Sequence, residues 1–259
     1  MNQKFALTDF SKVTLVVFYG SSATSKLIEL TTEIQEYLAS LKILQAKFIP
    51  YKIEQIHGTI VGCEGLRTKE GIVNKWFYVY RNKIKYINFD WLQYLKTSKL
   101  FPIQLRFGGY EFNSDYGFLS RGLHPAIRSF QLQLLGEETI PVLIGWGFKG
   151  DRITRELDDL RRDALNFNLL HKYYPTPQAI DNDFYLRLGT IKGKLPPETL
   201  DTISQQIREF LERKPPLYIS LNRSDLAFAK YRDLSLTPAT TQLFPLLETN
   251  VSQIEQLYL

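Results

Sequence analysis

Two periods of hydrophobic and polar positions divide the chain. Lys12 to Tyr19 (KVTLVVFY) is β-branched and aromatic, which predicts a strand. Gly20-Ser21-Ser22 reads as a turn, and Ser22 or Thr24 can cap the helix predicted from Leu27, Leu30, Ile34, Tyr37, Leu38 and Leu41, which recur at helical spacing. Phe48 to Gly62 returns to extended structure. Phe89, Trp91, Leu92, Leu95 and Leu100 predict a helix over Asp90 to Lys99. Three strand-like runs follow, Phe101 to Tyr110, Ser129 to Leu135 and Ile140 to Phe148, punctuated by glycines, Asn113, Asp115 and Pro125. A helix over Thr154 to Tyr173 has Leu157, Leu160, Leu165, Leu169 and Leu170 on its apolar side and ends at Pro175-Thr176-Pro177. Phe184 to Ile191 alternates as a strand. Pro196-Pro197 opens a helix over Glu198 to Arg213, and Pro215-Pro216 ends it. Leu217 to Asn222 and Ala229 to Leu236 are further strands, and the chain after Pro238 is a tail with one weak apolar segment.

Amphipathic helices between strands suit a layer of helices on a sheet, and the adjacent strands in the middle of the chain argue against a purely parallel one. The 259 residues are enough for a sizeable core, and 44% hydrophobic with 23% charged residues excludes wholesale disorder. A net charge of +5 leans mildly toward an anionic partner. With one cysteine, Cys63, no internal disulfide can form, and a reducing cytoplasm is expected. Three histidines and one cysteine are a poor basis for a zinc site. Met1 to Ser11 lacks the basic-then-apolar design of a signal, and no stretch approaches the roughly 20 apolar residues of a bilayer span. No Gly-rich phosphate loop and no G-x-S-x-G elbow occurs.

The candidate chemistry begins at Gln55-Ile56-His57-Gly58-Thr59-Ile60-Val61-Gly62. His57 and Thr59, two apart on a strand, leave the same face, while Ile56, Ile60 and Val61 can anchor it in a core. An imidazole beside a hydroxyl can hold a phosphate oxygen and move a proton next to it. Residues 64 to 87 are basic and aromatic, including Arg67, Lys75, Trp76, Tyr78, Tyr80, Arg81 and Lys85. This segment is a long loop or an extra hairpin, and it serves either as a surface insertion or as a nucleic-acid contact through stacking rings and cations.

The element order, with His57-Gly58-Thr59 on the second strand, resembles the two-histidine phosphoesterase superfamily, which includes RNA 2′,3′-cyclic phosphodiesterases, also called 2′,5′-RNA ligases. The resemblance spans Lys12 to about Leu236 as pattern rather than identity. It implies an α+β fold of two pseudo-symmetric lobes, with antiparallel or mixed sheets covered by helices around a central cleft. On this reading residues 1–259 form a single two-lobed domain, with an insertion at 64–87 and a tail at 238–259. Each lobe of the family gives one H-x-[ST] strand to the cleft. Here the second strand reads Asp183-Phe184-Tyr185-Leu186-Arg187-Leu188-Gly189-Thr190-Ile191, so Tyr185 stands where the second histidine should be and Arg187 where the Thr should be. His124, before Pro125 in a loop, and His171, in a predicted helix, do not replace it.

The run Tyr218 to Leu226, with Ser220 and the following Tyr231, looks like the family's closing segment, and Arg106 and Arg128 are further cations that could line the cleft. The resemblance implies metal-independent hydrolysis of a 2′,3′-cyclic or similar phosphodiester at RNA ends or on nucleotides, without a cofactor. His57 would be the acid or base, Tyr185 the proton donor, and Thr59 and Arg187 the phosphate ligands. The alternative is an inactive relative that binds RNA or a nucleotide in the same cleft. Arg187 suits bidentate phosphate binding, whereas Tyr185, with an ordinary pKa of about 10, is a poor base at neutral pH. The expected partner is an RNA or nucleotide ligand rather than a membrane, and the expected state is a monomer.

Overall fold

The computed structural model describes residues 5–20 and 24–259 and has an α+β architecture. Among the described residues seven α-helices accompany one twelve-stranded sheet, and a separate two-stranded hairpin stands beside it. β1 (Val13–Val17), β3 (Gly58–Gly62), β6 (Ile103–Phe107), β8 (Glu138–Lys149), β10 (Phe184–Arg187), β12 (Leu217–Leu221), β13 (Leu226–Tyr231) and β14 (Thr241–Pro245) form its main path, in the order β12-β6-β8-β10-β3-β1-β13-β14. β2 (Phe48–Pro50), β7 (Phe130–Leu135), β9 (Arg152–Ile153) and β11 (Gly189–Lys192) branch from it. All pairings are antiparallel. β3 and β10 are therefore the two middle strands of the path, each the inner member of a four-strand half.

β8 shows how the two faces differ. Ile140, Val142, Ile144, Trp146 and Phe148 point to one face, and Leu143 to the other. The face of Leu143 carries the main core. There α1 (Ser25–Ser40) buries Leu27, Leu30, Ile34 and Leu38, and α6 (Pro197–Glu212) buries Ile203, Ile207 and Leu211. Each such side chain removed from water contributes about 1.5–3 kcal/mol. Thr24 caps α1 by accepting from the Leu27 amide, while Ser22 and the predicted turn at Gly20-Ser21-Ser22 reach outside the described residues. Gln35, on the buried side of α1, donates from Nε2 to the carbonyls of Tyr51 and Leu188 at 2.8 and 2.7 Å.

Several sequence expectations change. The strand expected over Phe184 to Ile191 divides at Leu188: β10 pairs with β3 and β8, while β11 pairs with β2 and β8. Gly189 permits this, since a Cβ there would lie 2.5 Å from the Ile49 carbonyl oxygen. The helix expected over Thr154 to Tyr173 is shorter, α5 (Glu156–Asp163) followed by a 3-10 turn, because Asn168 takes a left-handed conformation at φ 58. Leu169 and Leu170 remain buried, so their spacing reflects packing rather than continued helix. His171 consequently lies in a loop, and His124 is the N-cap of the short α4 (Pro125–Arg128).

The 64–87 segment is a hairpin of β4 (Gly65–Arg67) and β5 (Ile72–Asn74) leading into α2 (Lys75–Arg81). The tail supplies the edge strand β14 as well as α7 (Val251–Gln256). α3 (Asp90–Thr97) forms where Trp91, Leu92 and Leu95 predict it. Among the described residues no helix is long and apolar enough to cross a membrane.

Candidate functional site

β3 and β10 meet at a single register pair, Gly58 opposite Leu186. Antiparallel geometry then sets Arg187 beside His57 and Tyr185 beside Thr59, all four side chains leaving the same face. The four residues line one cavity of about 190 Å³. Gly58 makes the close approach of the strands possible: a Cβ there would lie 2.1 Å from the Phe184 ring, which fills the core directly beneath. Phe184 in turn packs edge-on against Phe18 and Phe107. The four side chains thus stand on a tightly packed seam.

Arg161 supports the seam where the ladder stops. Its buried guanidinium donates to the carbonyls of Ile60 (2.8 Å) and Thr59 (3.0 Å) on β3, and to those of Asp181 (2.8 Å) and Asp183 (3.1 Å) on the approach to β10. Its charge is met by the Asp181 carboxylate at 3.3 Å. Asp181 also accepts from His171 Nε2 at 2.9 Å. Although burial acts against ionisation, the Arg161 charge and the His171 bond hold the Asp181 carboxyl down at about 2. Burial is also the main cause that lowers the pKa of His171.

His57 is buried, and its Nδ1 lies 2.7 Å from the Gln55 carbonyl. A carbonyl can only accept, so Nδ1 carries the proton and Nε2 presents a lone pair. Burial is the main cause that lowers the pKa of His57 to about 4, with the Arg187 charge adding in the same direction and the Gln55 bond opposing. The imidazole is neutral at physiological pH, as a base must be before it accepts a proton. Arg187 is half-buried and forms no ion pair or hydrogen bond among the described residues, nor does the Thr59 hydroxyl. A guanidinium and a hydroxyl donor thus face the same space as the imidazole lone pair.

Tyr185 differs from these three. Its hydroxyl accepts from Arg128 Nη2 and donates to Asp183 Oδ2 at 3.1 Å. Asp183 also accepts from Ser120, from Trp146 Nε1 at 2.8 Å and from Arg128 at 3.1 Å. Burial first, then the Asp183 charge, pushes the Tyr185 hydroxyl well above the ordinary tyrosine range. The phenol is therefore a fixed strut whose proton is committed to a carboxylate. Arg128 stands behind Tyr185 instead of lining the cavity. Arg106 lies elsewhere, with Tyr110 and Phe148 rings 4.6 and 4.5 Å from its guanidinium carbon. Ser220 is on β12 at the far end of the sheet, bonded to Gln104.

Tyr231, at the end of β13, does reach the cavity, and with it a residue that sequence reasoning did not single out, Glu64. Glu64 sits two positions beyond β3 and is 7% exposed. Its Oε2 accepts from Trp76 Nε1 at 2.8 Å, and its Oε1 faces the Tyr231 hydroxyl at 3.5 Å. The signal available was a lone carboxylate next to the H-G-T strand and twelve residues ahead of a tryptophan. Lys172 and Tyr173 also line the cavity, together with apolar side chains such as Leu134 and Leu236. Among the described residues no group of three or more His, Cys, Asp or Glu side chains is placed to hold a metal ion.

No family model and no curated protein matches this chain. Among solved structures it is similar to TT0787 of Thermus thermophilus, with a TM-score of 0.40 and 13% identity over 92% of this chain and 100% of the other. It is likewise similar to ATU0111, a conserved protein of unknown function from Agrobacterium tumefaciens, with a TM-score of 0.40 and 13% identity over 83% of this chain and 82% of the other.

Proposed function

We propose that this protein is phosphoesterase-like and binds the phosphate of an RNA end or a nucleotide between β3 and β10, hydrolysing a 2′,3′-cyclic or similar phosphodiester. The observation that supports this reading is the square of His57, Thr59, Tyr185 and Arg187 on one face of two adjacent strands around one cavity. Arg187 and the Thr59 hydroxyl donate to phosphate oxygens and stabilise the charge that grows on them in the transition state. His57 Nε2 takes a proton from the attacking water. Tyr185 is the only phenol in the square, and donation of its proton to the leaving sugar oxygen requires that the hydroxyl turn away from Asp183.

That last requirement supports a second reading, binding without turnover. The Tyr185 proton is already given to Asp183, and its raised pKa disfavours release. The two readings separate in one assay: hydrolysis of 2′,3′-cyclic nucleotides and of cyclic-phosphate-ended RNA by the wild type, His57→Ala and Tyr185→Phe. Turnover lost in both variants supports hydrolysis with Tyr185 as acid. No turnover above the His57→Ala background, with ligand binding that depends on Arg187, supports binding alone. Absence of both turnover and binding removes the phosphate reading altogether.

A further inference from the structure

Two carboxylates line the cavity, and they differ: Asp181 is paired with Arg161 at 3.3 Å and His171 at 2.9 Å, whereas Glu64 stands among neutral donors. A carboxylate repels phosphate, and burying one costs several kcal/mol unless donors surround it. Glu64 has no cationic partner among the described residues, only the Trp76 and Tyr231 donors. A carboxylate has about four acceptor positions, so about two remain for a ligand. The backbone is shaped to keep it there: Gly62 lies beneath it, and a Cβ at that position would be 2.6 Å from Glu64 Oε2. The carboxylate is folded back over β3, roughly three residues or about 10 Å along the strand from Thr59. One pole of the cavity therefore offers Arg187 and Thr59 to an anion, and the other offers an oriented, buried acceptor to a pair of donors. Tyr173, 40% exposed at the rim, holds the Arg121 and Lys172 cations 5.2 Å from its ring.

Building on the phosphate reading above, we infer that Glu64 selects a guanine base in the ligand whose phosphate Arg187 holds. The Watson–Crick edge of guanine carries two adjacent N–H donors, N1–H and N2–H₂, which match the two oxygens of one carboxylate. Adenine turns a ring-nitrogen acceptor to the same oxygens, as does cytosine beside its amino group, and uracil offers a single N–H between two carbonyls. A buried acceptor that meets an acceptor loses its bond and stays desolvated, so discrimination is strong where hydrogen bonding does the reading.

The test is calorimetric titration of the full chain with guanosine, adenosine, cytidine and uridine 3′-monophosphates, for wild type, Glu64→Gln and Arg187→Ala. The expected result is a preference of about tenfold or more for the guanosine ligand in the wild type, the scale of one or two charge-assisted bonds. Glu64→Gln, which keeps size but not the paired acceptors, brings the four affinities together while phosphate-dependent binding persists. Arg187→Ala weakens all four by a similar factor. Equal affinities in the wild type, with binding still lost in Arg187→Ala, overturn the assignment of Glu64 and leave the phosphate reading standing. Absence of binding to all four overturns both. The wild-type base series decides the question even if Glu64→Gln does not fold.

Discussion

Arg161 Nη2 lies 3.0 Å from the Thr59 carbonyl and 3.1 Å from that of Asp183. One guanidinium nitrogen thus spans the two strands that carry the candidate site, just past the point where their backbone ladder ends. Of the four side chains of the square, Thr59 shares its residue with one of these carbonyls, and His57 and Tyr185 lie two residues from them. The register of the square depends on a side chain from α5 as much as on the sheet.

Replacing Arg161 tests that dependence. Arg161→Met keeps most of the volume but leaves four carbonyls without their donor and Asp181 without its buried counter-ion, with only the half-exposed Arg121 at 3.7 Å remaining. Such a loss costs about 3–5 kcal/mol. Urea unfolding should show the midpoint fall by the corresponding amount at constant slope. A cost below about 1 kcal/mol contradicts the bridging role.

Gly58 is the second position on which the seam depends. Gly58→Ala drives a methyl group into the Phe184 ring, and overpacking of this kind costs about 1–3 kcal/mol. Because the clash also forces β3 from β10, any ligand held by the square, the phosphate proposed above included, should bind less tightly as stability falls. Gly58→Ala combined with Phe184→Leu, which makes room for the methyl group, should recover part of both. Failure of the double variant to improve on the single one argues against this steric account.

The H-G-T strand was legible because its residues combine a two-residue period with apolar anchors, and the structure places His57 and Thr59 on one face. Tyr185 and Arg187 were legible by the same alternation, and they line the same cavity. The hydroxyl network of Tyr185 was not, because Ser120, Arg128 and Asp183 are brought together by long-range contacts that no local period encodes. Glu64 was missed for a related reason: the β1–β3 register shifts between Leu15 and Val16, so Gly62 joins Thr59 on the cavity face and Glu64 follows it there, where an unbroken alternation counted from Thr59 would put Glu64 on the opposite face. The helix expected through His171 failed because buried leucines at helical spacing also suit an irregular chain lying on the core, and Asn168 ends the regular part. The edge strand β14 escaped notice because its five residues include no strong run of β-branched or aromatic side chains.

Tyr185 and Asp183 should separate in cost. In Tyr185→Phe the direct Arg128–Asp183 pair at 3.1 Å survives, so the loss is that of hydrogen bonds to charged partners, about 1.5–3 kcal/mol. In Asp183→Asn the buried Arg128 loses its counter-ion and Trp146 and Ser120 lose a charged acceptor, a change of about 3–5 kcal/mol. Denaturant midpoints of the two variants measured side by side check the order. A Tyr185→Phe variant less stable than Asp183→Asn contradicts the strut role given to the phenol.

His57 gives the fold a pH dependence whose sign is fixed by its environment. Its folded pKa of about 4 lies below the unfolded value of about 6.5, chiefly because it is buried. Between these values the unfolded chain binds the extra proton and the native state does not, so stability rises with pH across that window. The His57 contribution is complete above about pH 6.5 and is lost as pH falls toward 4, up to about 3 kcal/mol. His171, also lowered by burial, acts in the same direction, so the wild-type slope alone does not isolate His57. Asp181, at about 2, titrates below this window. The difference between wild type and His57→Gln removes the His171 part. The two unfolding free energies should converge or cross as pH falls from 7 to 4.5, and parallel curves would show that His57 is not held neutral by the fold. If the cavity turns over a cyclic phosphate, the same group sets the acid limb of kcat/KM in the free enzyme, which should fall near pH 4 rather than near 6.5.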